Sequence, residues 1–145
     1  MKTVRCYYCG SGNSSFYAAE NGFQLVKCDG CGLLFVKDRP DDDQISQAHR
    51  QGRHAGEKEL DVTGRYSPGR VRTYRKVLQD LYGGDMGHIR TWLDVGCGHG
   101  EFMLAVQRYA SGNIEVTGTE PNVHKQASAR ARGLNVGYFD LETHG

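Results

Sequence analysis

The 145 residues predict an α/β chain of two unlike parts: a short cysteine-stapled β segment, then the first βαβαβ half of a parallel sheet. Three observations carry this. Four of the five cysteines form Cys6-x2-Cys9 and Cys28-x2-Cys31. Residues Trp92 to Phe102 read WLDVGCGHGEF, an apolar strand that passes an acid, meets Gly96, Gly98 and Gly100 at alternate positions, and opens a new apolar periodicity. The residues that follow alternate strand and helix patterns, as a parallel sheet with crossover helices requires.

The balance of charge is nearly neutral, at +1. Bulk electrostatics therefore do not point to nucleic acid or an anionic membrane as a partner. No apolar run approaches the length of a membrane span. The N-terminus, MKTVRCYYCG, has neither the apolar core nor the cleavage site of a signal peptide. The expected compartment is the reducing cytoplasm, where cysteines are free or metal-bound rather than paired.

Residues 1–38 read as a zinc ribbon. Each cysteine pair is followed by glycine, Gly10 and Gly32. A tight turn between two thiolates must aim backbone N–H groups at sulfur, and glycine accepts the left-handed conformation this creates. Between the pairs, Asn21-Gly22 is a strong hairpin turn, flanked by Phe16-Tyr17 and by Phe23 to Val26. A hairpin there brings the two pairs together, and Leu33 to Val36 can add a third strand. Cys6, Cys9, Cys28 and Cys31 are the expected ligands of a structural Zn2+, because four thiolates leave no open coordination position for catalysis. Two disulfides or four buried thiols are the alternatives; the spacing, the paired glycines and the lack of an export signal favour zinc. A segment this short has little core of its own and needs such a staple.

Residues 39–65 are polar and irregular, with Pro40, the run Asp41-Asp42-Asp43 and scattered glycines. They read as a linker with one short helix around Gln44 to Arg50. His49, His54, Glu57 and Glu59 lie here, but no two histidines have the helical spacing of a ligand pair, and a solvated loop is expected.

Residues 66–145 form the nucleotide-type part. Ser67-Pro68 suits a helix start, Val71, Tyr74, Val77, Leu78 and Leu81 give one apolar face, and Gly83-Gly84 ends it. Strands are expected at Thr91–Val95, Ile114–Thr119 and Leu134–Phe139. The helices between them run over Glu101–Ala110 and Val123–Arg132. Right-handed crossovers place the strands parallel in the order 3-2-1. A glycine-rich first turn with an acid at the tip of the next strand, Glu120, is how α/β folds hold an adenosine, with backbone under one end and a carboxylate on the ribose hydroxyls. A dinucleotide loop reads G-x-G-x-x-G, whereas here the third glycine comes one residue early. Asp94 also stands just before the loop. S-adenosylmethionine has no pyrophosphate and carries an ammonium and a sulfonium, so an acid at the loop favours it over NAD. Cys97, inside the loop, is a small neutral filler rather than a nucleophile, counted among the residues that face the ligand.

These residues resemble a known family. LDVGCGHG is similar to the first motif of class I S-adenosylmethionine-dependent methyltransferases, TEPN to their second-strand acid motif, and FDLE to the end of their third strand. With the four cysteines, the chain resembles bacterial methyltransferases with an N-terminal zinc-binding segment, many of them associated with sugar or cell-surface glycan modification. The resemblance implies a partial Rossmann-like domain in which Asp94, Gly96, Gly98 and Gly100 line the methionine end, Glu120 binds the ribose, Pro121 packs near the adenine, and Asp140 and Leu141 bracket the ring. A strand-end cap is the competing role for Asp140.

The later strands of such a sheet, which carry the acceptor-binding and proton-abstracting segments, are not in this sequence. No catalytic base is named, and neither His99 nor His124 is assigned that role. The expectation is the cofactor-binding part of a longer methyltransferase acting on a small-molecule acceptor, a sugar or glycan precursor. By itself this part would have no turnover. The alternative is a non-catalytic zinc-ribbon module contacting protein or RNA. The edge of the first strand is expected to favour self-association.

Overall fold

The structure is a computed structural model, and it describes residues 1–84, 86–110 and 114–138. It divides into two units, Met1–His49 with Arg53–Val62, and Arg50–Gly52 with Thr63 onward.

Along the first part of the chain lie β1 (Lys2–Thr3), β2 (Ser14–Glu20), β3 (Phe23–Cys28), β4 (Leu34–Val36), β5 (Asp38–Arg39), α1 (Asp42–Gln51), β6 (Arg53–His54) and β7 (Leu60–Asp61). Asn21 and Gly22 both take positive φ, 49° and 84°, as a two-residue hairpin turn matching the strand twist requires. They join β2 to β3 with Glu20 opposite Phe23, and β4 adds antiparallel to β3. β1 pairs with β5. The only fully apolar side chains buried in this unit are Val26 and Phe35, which sit with Cys6 and Cys28 over a half-buried Val4.

Part of the stretch read as a linker is ordered into secondary structure. α1 covers the expected short helix, with Gln44 N–H donating to the Asp41 carboxylate at 2.9 Å at its start. β6 and β7 form a small antiparallel hairpin that belongs to the first unit. The Asn21 side chain clasps that hairpin: its Oδ1 accepts from Lys58 N–H at 2.8 Å and its Nδ2 donates to Lys58 carbonyl at 3.0 Å.

The second unit carries α2 (Pro68–Tyr82), β8 (Thr91–Val95), α3 (Glu101–Tyr109), β9 (Glu115–Thr119), α4 (Val123–Arg130) and β10 (Asn135–Gly137). The strands are parallel in the order β10-β9-β8, the 3-2-1 order that right-handed crossovers predict. Helix α2 begins at Pro68 and ends where Gly83 turns left-handed, at φ 61°. Ser67 occupies the N-cap position but makes no side-chain cap bond. Its own N–H instead donates to the buried Glu101 carboxylate at 2.9 Å. The core gathers Val71 and Leu78 of α2, Met103 and Val106 of α3, Val116 of β9 and Ala129 of α4, all nearly or fully buried. Phe102 links it to Trp92 and Tyr74 through edge-on ring contacts, each worth about 1 kcal/mol beyond area burial. Among the described residues β8 has one sheet neighbour, β9, and exposes Leu93 and Val95. No described helix is long and apolar enough to cross a membrane.

Candidate functional site

Two constellations carry chemistry, one in each unit. In the first, each Cys-x2-Cys turn closes on itself: Gly10 N–H donates to Cys6 carbonyl and Gly32 N–H to Cys28 carbonyl, both at 2.9 Å, with Gly10 and Gly32 at φ 73° and 79°. The turns bring the four Sγ atoms within 4.8 Å of one another, with Cys6 to Cys31 and Cys9 to Cys28 at 3.5 Å. None is in a disulfide. Burial works to raise the Cys28 thiol, but the amides of Cys31 and Gly30 and the neighbouring sulfurs overcome it and bring it down to about 6. The Leu33 amide lowers Cys31, yet burial and the other three thiols together push it up to about 12. Four sulfurs this close cannot all ionise without a cation among them, and four thiolates are the donor set of a closed tetrahedral zinc site.

The second constellation is the glycine loop. Gly96 and Cys97 both donate N–H to the Thr119 carbonyl, at 2.8 and 3.1 Å, which ties the loop to the tip of β9. Gly96, Gly98 and Gly100 have φ of 73°, 58° and 84°, a left-handed region that costs other residues about 1–3 kcal/mol. The reasons for glycine differ along the loop. A Cβ on Gly96 or Gly98 would meet nothing within 4 Å, so the backbone there faces open space; a Cβ on Gly100 would run into Leu134 Cδ1. Gly118 on β9 packs beneath the loop, where a Cβ would come 2.7 Å from Cys97 Sγ and 2.6 Å from Met103 Sδ. Cys97 is buried. Burial, with Asp94 and Glu120 nearby, pushes its thiol up to about 12, a protonated sulfur suited to packing rather than attack.

Glu120 is only 5% exposed. Its two carboxylate oxygens accept from Gly98 N–H at 2.8 Å and Asn122 N–H at 2.9 Å, so the acid braces the loop from below. Asn122 in turn caps α4, accepting from His124 and Lys125 N–H at 3.0 Å, and the Gln126 side-chain Nε2 donates to the Glu120 carbonyl at 2.6 Å. The TEPN sequence is thus a rigid strand-to-helix turn. Pro121 is half-buried in it.

Asp94, at the end of β8, has an oxygen, Oδ2, that is buried and has no hydrogen-bond partner. Burial, then the charge of Glu120, raises its carboxyl to about 6. Among the described residues neither acid forms an ion pair. His99, also in the loop and 7% exposed, has Nε2 at 3.0 Å from the Thr63 carbonyl and a buried Nδ1 without a partner. Two acids, an unpaired oxygen and an open glycine backbone are suited to a ligand with a positive charge at one end and hydroxyls at the other. The structure brings Asp94, the three glycines, Cys97, Glu120 and Pro121 into one neighbourhood of strand tips; Asp140 and Leu141 lie outside the described residues. The burial of His99 and the loop-bracing bonds of Glu120 had no signal in the sequence, since both depend on how the loop folds back.

No protein-family model matches the chain, and neither does any curated protein sequence. Solved structures do match. Coclaurine N-methyltransferase bound to N-methylheliamine and SAH is 23% identical over 52% of this chain and 23% of that one, with a TM-score of 0.40. The sugar N-methyltransferase KedS8 from a Streptoalloteichus species is 18% identical over 77% of this chain and 38% of that one, TM-score 0.36. The 16S rRNA methylase ArmA is 19% identical over 74% of this chain and 56% of that one, TM-score 0.39. These neighbours are methyltransferases. The chain spans less than two thirds of the length of each. At such identities and scores the likeness carries no function across, and the site residues themselves support the reading below.

Proposed function

We propose that the second unit, a partial Rossmann-like domain, binds S-adenosylmethionine in the service of methyl transfer, and that the first unit is a zinc ribbon whose metal is structural. The observation that carries the cofactor reading is the buried, unpartnered Asp94 Oδ2 beside a second acid, Glu120, at an open glycine loop. A buried carboxylate oxygen without a partner, as at Asp94, is costly unless a cation or donor completes it, and the early third glycine makes no nest for a pyrophosphate. When bound, the cofactor supplies an electrophilic methyl group on a sulfonium. Of the protein's own groups, Asp94 would hold the ammonium, the Gly96–Gly98 backbone would lie against the methionine end, and Glu120 would accept from the ribose hydroxyls while keeping its bonds to the loop. Asp140 and Leu141 are proposed to bracket the adenine. The acceptor is taken to be a small molecule, the class suggested by the sequence resemblance. Zinc would be held by Cys6, Cys9, Cys28 and Cys31.

The test is the pH dependence of binding. The Asp94 carboxyl lies at about 6, above its ordinary 3.8. In the free protein the folded state therefore holds more protons than the unfolded state between those values, and this acid lowers stability as pH rises through that window. A cationic ligand needs the ionised form. Affinity for S-adenosylhomocysteine, which keeps the ammonium, should thus rise as pH increases through about 6 and level off above it. Asp94→Asn should bind weakly and flatten the profile. Equilibrium dialysis across that range reads it; a flat wild-type profile would take Asp94 out of the site.

A further inference from the structure

The cofactor reading leaves one buried polar group of the glycine loop without a task, the His99 imidazole. His99 stands between Gly98 and Gly100, both left-handed at φ 58° and 84°. Glycine loses more conformational freedom on ordering than any other residue, and three of the five residues from Gly96 to Gly100 are glycine. The loop therefore needs ties to hold one shape. From the β9 side, the Thr119 carbonyl and the Glu120 carboxylate hold the N–H groups of Gly96, Cys97 and Gly98. His99 reaches the other way, with Nε2 at 3.0 Å from the Thr63 carbonyl. A carbonyl oxygen only accepts, so Nε2 carries the proton and donates.

A bond to Thr63 positions the loop only if Thr63 is itself fixed, and its segment is fastened along its length. Ser67 N–H donates to the buried Glu101 carboxylate at 2.9 Å. The Tyr66 ring lies under the Arg132 guanidinium, 3.7 Å from it. Gly52 is buried beside Thr63. A Cβ there would run into Asn122 Nδ2 and stand 2.5 Å from Thr63 Oγ1. Residues 63–67 thus form a strap pinned to α3 and to the Arg132 that follows α4, and His99 couples the loop to it.

Stability alone does not account for a histidine at this position. With Nε2–H committed to Thr63, Nδ1 is a lone pair, and it is buried with no partner. A buried acceptor left unpaired costs stability, and an apolar side chain would avoid that cost. A choice that breaks a local rule at such a loop points to function rather than packing.

We propose that His99 is a positioning residue for the cofactor: its bond to Thr63 fixes the glycine loop, before the ligand arrives, in the shape that the methionine end meets. The inference rests on the cofactor reading of this loop. His99 acts through the Gly96–Gly98 backbone, and a loop ordered in advance spares the ligand the cost of ordering it.

The test compares wild type, His99→Gln and His99→Leu as full chains, titrated with S-adenosylhomocysteine by calorimetry, with amide exchange followed in the free proteins. Gln places an amide N–H near the position of Nε2, whereas Leu cannot donate. In His99→Leu the Gly98 and Gly100 amides should exchange faster and affinity should fall by about tenfold, the net worth of one such hydrogen bond. His99→Gln should recover most of both. Gly52→Ala displaces the strap from outside the loop; it should weaken binding by a similar factor, and it carries the test if His99→Leu does not fold. The double variant of Gly52→Ala with His99→Leu should be little weaker than either alone, because both break the same tie. A histidine that only stabilises the fold would shift urea unfolding and leave the affinity of the folded protein unchanged. That result overturns the proposal, as do a Gln variant as weak as Leu and additive losses in the double variant. Failure of the cofactor reading is a different result, a folded wild type that does not bind S-adenosylhomocysteine, and it would overturn this proposal too.

Discussion

Stripping the metal, or replacing Cys28 with Ser, should unfold the first unit and leave the second folded. The buried apolar side chains of the first unit are few, chiefly Val26 and Phe35. At about 1.5–3 kcal/mol each, they fall far short of the roughly 1–2 kcal/mol per residue needed to fix the backbone of this unit. Its exposed ion pairs, Lys2 and Arg39 with Asp42 and Arg53 with Glu59, are screened by solvent and add little. A four-thiolate zinc site contributes on the order of 10–16 kcal/mol in comparable small segments, so the proposed metal would decide whether this unit folds. Protein prepared without added zinc should carry about one equivalent. After chelation, amide dispersion should collapse for residues 1–62 and persist for α2 onward. Two disulfides detected by mass in protein prepared under non-reducing but non-oxidising conditions, or a chelated first unit that keeps its dispersion, would contradict this.

Replacing Glu120 should have the largest effect at the cofactor loop. Glu120→Ala removes the proposed partner of the ribose hydroxyls. It also leaves Gly98 and Asn122 N–H groups without their acceptor. Affinity for S-adenosylhomocysteine should fall by about 1.5–3 kcal/mol from the lost charge-assisted bond. The protein should also lose about 1–3 kcal/mol of stability from the orphaned amides. Glu120→Gln separates the two effects, because one amide oxygen can still accept one of the two loop bonds while the charge is gone. It should lose affinity with a smaller loss of stability, measured by urea unfolding of the free protein. Unchanged affinity in either variant removes Glu120 from the binding site and leaves it a loop brace.

Much of this was legible because it rests on short-range chemistry. Asn21-Gly22 specifies its turn through two positive φ values. The Cys-x2-Cys-Gly repeats specify their own closures. The strand order β10-β9-β8 follows from crossover handedness once three strands and two helices are recognised. What was not legible depends on groups far apart in sequence. Residues 53–61 alternate too weakly to announce a hairpin, and their order comes from the side chain of Asn21, more than thirty residues away. Ser67 has the composition of a cap, yet Glu101 supplies the bond at that helix start. The sequence marks Asp94 as an acid beside a glycine loop, but its unpaired oxygen appears only when β8, the loop and Glu120 close around it.

On the proposed reading, this loop and its two acids were shaped for S-adenosylmethionine rather than for a dinucleotide. One calorimetric comparison tests it most directly: the same protein, at a pH above the Asp94 titration, titrated with S-adenosylhomocysteine and separately with NAD. S-adenosylhomocysteine should bind at one site per chain and protect the Gly96–Gly100 and Glu120–Asn122 amides from exchange, with NAD at least about tenfold weaker, since the loop offers no pyrophosphate nest and Asp94 repels its phosphates. Tighter binding of NAD, or no binding of S-adenosylhomocysteine to protein whose second unit is folded, would contradict it.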